Sequence, residues 1–113
     1  MEIKNGKITD VSLTMADHGV LTFYLTIEGN GIGFCYGGYV LGHGYLGSKN
    51  FDSSAKGLEA IMRIMDTVGV DRWEDLKNKY IRYEYNGLGS IVHKIGNIIQ
   101  DKWFDIEEFF TQE

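Results

Sequence analysis

The residues with the most chemical potential lie between Gly29 and Gly47. Eight of those 19 positions are Gly, interleaved with Phe34, Tyr36, Tyr39 and Tyr45. Closely spaced glycines expose backbone N–H groups that can form a concave anion site. Neighbouring tyrosine rings can stack a nucleobase. Lys49 is the only charged residue between Glu28 and Asp52, so an anion there meets little repulsion. These features mark Gly31, Gly33, Tyr36, Gly37, Gly38, Tyr39, His43, Tyr45 and Lys49 as candidate ligand-binding residues for a small phosphorylated nucleotide. The alternative is a tightly bent sheet whose glycines let aromatic rings pack over them.

Other chemistries fit less well. Gly42-His43-Gly44-Tyr45-Leu46-Gly47 has the Gly spacing of a dinucleotide fingerprint. No strand–turn–helix unit with a parallel partner strand surrounds it, and that context is what the fingerprint needs. His18, His43 and His93 show no metal-ligand spacing, so no metal or cofactor is expected. Cys35 and His43 would form a thiol–imidazole pair only if a hairpin brought them together. A lone Cys in an apolar strand reads more simply as a small buried hydrophobe. Asp101, Asp105, Glu107 and Glu108 read as helix caps and a solvated face rather than as an acid–base pair. The expectation is a protein that binds, without a catalytic site.

The elements that must position these residues follow from periodicity. Residues 7–14 and 20–27 predict an antiparallel hairpin turning at 17–19. Leu21, Phe23, Leu25 and Ile27 share one face, and Ile8 is out of phase, as at a bulge. Residues 53–68 predict the main helix. Leu58, Ile61, Met62, Ile64, Met65 and Val68 form its apolar stripe, one of Asp52, Ser53 and Ser54 caps it, and Gly69 stops it. Asp71 and Glu74 suggest a capping box for a short helix to Leu76. Residues 79–85 and 90–99 predict a second hairpin, and Asp105 a cap for a last short helix. The fold class expected is α+β: an antiparallel sheet of two hairpins plus the Gly-rich strand segment, with one main helix packed on one face. At 113 residues the chain is expected to form a single domain, 1–113.

Composition narrows the partners. The formal net charge is −5, which disfavours direct binding to nucleic-acid backbones. A single cysteine, Cys35, and no apolar run of membrane length fit a reducing compartment, and the cytoplasm is expected.

Three segments together resemble a family of small bacteriophage and prophage proteins. They are Gly33-Phe34-Cys35-Tyr36-Gly37-Gly38-Tyr39, Val68-Gly69-Val70-Asp71-Arg72-Trp73-Glu74-Asp75-Leu76, and Ile95-Gly96-Asn97-Ile98-Ile99-Gln100-Asp101-Lys102-Trp103-Phe104. Members of that family tend to combine G-F-G-G-Y-x-L, G-V-x-x-W-E-D-L and I-G-H-I-x-x-D-x-W-F patterns. Here Cys35-Tyr36 interrupts the first pattern, and Asn97 stands where His is common in the third, which removes that His as a catalytic group. The resemblance implies a phage origin and action in the cytoplasm of a bacterial host. By analogy it implies an accessory protein that counteracts a host defence. Two mechanisms are open. In one, the Gly/Tyr segment sequesters a phosphorylated nucleotide signal, alone or at an interface between two copies. In the other, the acidic surface occludes a host defence protein, for instance one that binds nucleic acid. A structural phage component is the remaining class.

Overall fold

The computed structural model describes residues 2–45 and 47–112. Leu46, part of the dinucleotide-like Gly pattern, lies outside the described residues. The fold is α+β: a curled antiparallel sheet of eight strands with one main helix against it. The strands are β1 (Glu2–Ala16), β2 (Val20–Gly29), β3 (Ile32–Gly37), β4 (Gly42–His43), β5 (Asp52–Ser53), β6 (Tyr80–Tyr85), β7 (Lys94–Asn97) and β8 (Trp103–Asp105). Helix α1 spans Ala55–Val68 and α2 spans Ile106–Thr111. The sheet order is β5-β4-β2-β1-β6-β7-β8, with β3 also on β2, beyond β4 along the same edge.

The alternation in β2 sets the inside of the sheet. Phe23, Leu25 and Ile27 are buried and Tyr24, Thr26 and Glu28 are exposed. The bulge expected near Ile8 is present, since the β1–β2 register shifts between Ile8 and Asp10. On β6, Ile81 and Tyr83 face the same core, which also takes Phe34, Tyr36, Ile95, Phe104 and Ile106. The sheet curls far enough for the 86–93 segment to reach the open edge of β3, where the Val92 amide donates to the Cys35 carbonyl at 3.1 Å. That crossing takes residues 90–93 out of the expected return strand, leaving β7 only Lys94–Asn97.

Helix α1 begins and ends as its sequence signals require. The Ser54 hydroxyl accepts from the Gly57 amide at 3.0 Å, and Gly69 closes the C-terminus with φ 93°. Its buried face differs from the expected stripe. Gly57, Ala60, Ile64 and Thr67 face the core, with Ile61 and Val68 beside them, while Leu58 is 63% and Met62 59% exposed. The reason is close approach. A Cβ at Gly57 would stand 2.9 Å from the Leu41 Cα, so small side chains, not the most hydrophobic ones, occupy the contact. The expected capping box at Asp71 is also absent, because the 3-10 turn Trp73–Leu76 starts after Arg72 with no side-chain cap.

Candidate functional site

The Gly/Tyr segment is built into the sheet. Tyr36 shares the parity of Phe34 on β3 and is 0% exposed, its ring tilted against Phe23 at 6.3 Å. The expectation that it stacks a ligand base is therefore corrected: it is a core side chain. Tyr39 is half-buried and its ring lies parallel to Phe110 at 4.8 Å, so one face is already covered. The backbone amides expected to hold an anion have other partners. Gly38 donates to the Phe23 carbonyl and Gly44 to the Gly19 carbonyl, each at 2.8 Å. Gly31 sits in the β2–β3 turn, and Gly33 pairs opposite Glu28, a carboxylate that repels anions. Gly37, at φ 117°, lies directly on the Phe23 carbonyl, where a Cβ would stand 2.6 Å away. His43, Tyr45 and Lys49 remain exposed. None of the nine expected residues lines the surface depressions around α2 or beside the Trp73–Leu76 turn.

The thiol–imidazole pair does not form. Cys35 lies opposite Thr26 and His43 opposite Val20, six residues apart along β2, a span of about 20 Å. Cys35 is exposed on β3, not the buried small hydrophobe expected; partial desolvation still raises its thiol pKa above the ordinary value, which lowers its reactivity further. Among the described residues no group of three or more His, Cys, Asp and Glu could hold a metal ion, and no helix is long and apolar enough to cross a membrane.

The chemistry gathers instead around α2. The Asp105 carboxylate caps this helix, accepting from the Glu108 amide at 3.0 Å. That cap fixes the first turn, which carries Glu107 and Glu108. Ahead of it, β6 brings Glu84 outward and the chain entering β7 brings His93, whose Nε2 lies 3.0 Å from a Glu107 carboxylate oxygen. Glu84, His93, Asp105, Glu107, Glu108 and Thr111 line an open depression of about 360 Å³. On the other side of the same turn, a second depression of about 510 Å³ includes Asp105 and Glu108 again, with Glu59, Arg63, Lys94 and Trp103. The two share Asp105 and Glu108. Five carboxylates share this surface with two fixed cations, Arg63 and Lys94, and Arg63 is already paired with Glu59 at 2.6 Å. Lys94 lies over the Trp103 ring at 5.5 Å, and Arg82 covers that ring at 4.5 Å.

As expected, Asp105 caps α2 and Glu107 and Glu108 lie on its solvated face, whereas Asp101 caps no helix and accepts instead from the Trp103 indole N–H at 2.7 Å. Glu84 and His93 join them unexpectedly. The available signal was parity: Glu84 lies between Tyr83 and Tyr85 and must point away from the core they occupy.

Compared with family models, curated proteins and solved structures, the chain matches none.

Proposed function

We propose that this is a binding protein that occludes a basic surface of a partner protein with the acidic face around α2. The observation that carries this reading is the surface of Glu59, Glu84, Asp105, Glu107 and Glu108, whose lining cations among the described residues are Arg63, paired with Glu59, and Lys94, with Lys56 and Arg82 at its border over Phe109 and Trp103. Complementary charge steers association and fixes orientation. In the phage setting that the resemblance implies, the proposed partner is a bacterial defence protein that uses basic side chains to hold nucleic acid, and the proposed site of action is the host cytoplasm. The acidic face would then stand in for the nucleic-acid backbone.

Two measurements test this. The first is phage plating on bacterial strains that each carry one defence system, with wild type or Glu84→Lys/Glu107→Lys supplied in the host. Protection of the phage by wild type and its loss in a folded double variant is the expected result. The second is calorimetry with cyclic and linear nucleotides. Tight binding that falls about tenfold in Tyr45→Ala and Lys49→Ala, the size of one lost stacking or phosphate contact, would replace this reading with nucleotide sequestration. Plating that is unchanged by the charge reversals would also reject it.

A further inference from the structure

Strand β1 is longer than the neighbour that covers its outer edge. Strand β6 pairs with it only from Glu2 to Lys7. Ile8 is then held by two bonds, its amide to the Lys79 carbonyl at 2.8 Å and its carbonyl from the Asn78 amide at 2.6 Å. From residue 9 to residue 16, no backbone hydrogen bond other than the β2 ladder reaches β1 among the described residues.

The ladder also shows which groups are left over. The carbonyls of Leu21 and Phe23 accept from Leu41 and Gly38, so the odd-numbered residues of β2 turn their backbone groups away from β1. Antiparallel strands alternate, so the even-numbered Thr22, Tyr24 and Thr26 bond to their partners Thr14, Ser12 and Asp10. Val11, Leu13 and Met15 therefore aim their N–H and C=O groups out of the sheet. Folded proteins usually blunt such an edge with Lys, Pro, a bulge or a covering segment. Here the bulge precedes the stretch, between Ile8 and Asp10. Residues 10–16 contain no Lys and no Pro, and their one charge, Asp10, lies at the end. Leu13, at the centre, is 47% exposed.

We infer that this edge pairs with the same edge of a second copy of the chain, antiparallel about a two-fold axis at Leu13. The segment is complementary to itself. With Leu13 opposite Leu13 of the second copy, Val11 meets Met15, Ser12 meets Thr14 and Asp10 meets Ala16. Apolar side chains face apolar ones, hydroxyls face hydroxyls, and no carboxylate opposes a carboxylate. The three outward-facing residues of each copy meet their counterparts, so every open N–H and C=O gains a partner. Two chains of net charge −5 repel over most of their surfaces, and this nearly uncharged strand is where they can meet. The α2 face lies toward the β8 edge of the sheet, so pairing through β1 leaves it free and gives the dimer two copies of it.

Sedimentation equilibrium across a wide concentration range is expected to show a dimer for wild type and a monomer for Leu13→Lys. Hydrogen exchange of wild type provides a test that needs no variant: the Val11, Leu13 and Met15 amides should become more protected as concentration rises. In a Cys35→Ser background, Leu13→Cys should oxidise to a cross-linked dimer, because hydrogen-bonded partners across antiparallel strands sit about 5.5 Å apart at Cα, a span that a disulfide bridges. Leu88→Cys, on a distant turn, should not. A wild type that stays monomeric, a dimer that survives Leu13→Lys with its fold intact, or edge amides whose exchange ignores concentration would each overturn the inference. Capture of an extended peptide from another protein would appear as the first of these.

Discussion

Asn97 of β7 ties off helix α1 at Thr67. Its Nδ2 donates to the Thr67 carbonyl at 3.0 Å and to the Val68 carbonyl at 3.2 Å, while its Oδ1 accepts from the Ile99 and Gln100 amides, each at 2.9 Å. The last carbonyls of a helix have no partner within the helix, and α1 has no basic residue in its last turn. One buried amide therefore satisfies both the helix end and the turn that leads to β8. Asn97→Ala should cost about 1–3 kcal/mol, the price of leaving such groups unpaired. Urea denaturation should show a lower midpoint with an unchanged slope. A midpoint equal to wild type would mean that water replaces the side chain without loss.

The rotation of α1 makes a paired prediction. Ile64 is fully buried and Leu58 is 63% exposed. Ile64→Ala should cost about 2–5 kcal/mol, from lost transfer free energy and the cavity left behind. Leu58→Ala should stay within about 0.5 kcal/mol of wild type, as surface substitutions do. Thermal melts of the two variants side by side decide the orientation. Equal losses, or a larger loss at Leu58, would place the helix on the face that hydrophobicity alone selects.

That contrast shows what was legible. Strand β2 announces itself because its apolar residues alternate without exception from Leu21 to Ile27. The ends of α1 are equally plain in Ser54 and Gly69, whose roles are local. The face of α1 is not, because Gly57, Ala60 and Thr67 are buried by how near Leu41 and the sheet come, and distance is a tertiary quantity. Strand β8 is only three residues long, too short for a period to register. The same limit applies to function. Tyr36 and Tyr39 look like a stacking pair in sequence, yet parity sends Tyr36 inward and Phe110 covers Tyr39. Glu84, His93 and Glu107 converge because β6, β7 and β8 pair side by side with these residues at one end, a pairing that no local spacing along the chain encodes.

Gly57 offers a test with an inverted sign. In an exposed helix interior, Gly→Ala gains about 0.5–1 kcal/mol from backbone entropy and propensity. At Gly57 the added methyl would stand 2.9 Å from the Leu41 Cα and 3.1 Å from its carbonyl oxygen. Backbone must move to admit it, and overpacking of this kind costs about 1–3 kcal/mol. Gly57→Ala should therefore destabilise. Gly33→Ala is the control, since its Cβ would meet only the Thr26 methyl at an ordinary 3.6 Å, and its midpoint should barely move. A gain in stability at Gly57 would show that α1 does not rest on residue 41.

Tyr36 makes stability depend on alkaline pH. Its hydroxyl is buried with no hydrogen-bond partner among the described residues. Burial raises its pKa well above the ordinary value near 10, and the charges of Asp105 and Tyr39 push the same way. Below about pH 10 the folded and unfolded chains both keep this proton, so the group contributes no slope. Above it the unfolded chain releases the proton while the folded chain holds it. Stability then falls as pH rises, by about 1.4 kcal/mol per pH unit for this group alone. Tyr39 and Tyr83, whose pKa values are also raised, chiefly by burial, add in the same direction. Tyr36→Phe removes the largest part. Near neutral pH the variant should match wild type or exceed it, because an unpartnered hydroxyl has no bond to lose. At about pH 11 its advantage should widen. Urea midpoints of both proteins from neutral to alkaline pH give the measurement. A variant weaker than wild type at neutral pH would show that the hydroxyl is bonded in the folded protein, and curves that stay parallel through pH 11 would show that it is solvated.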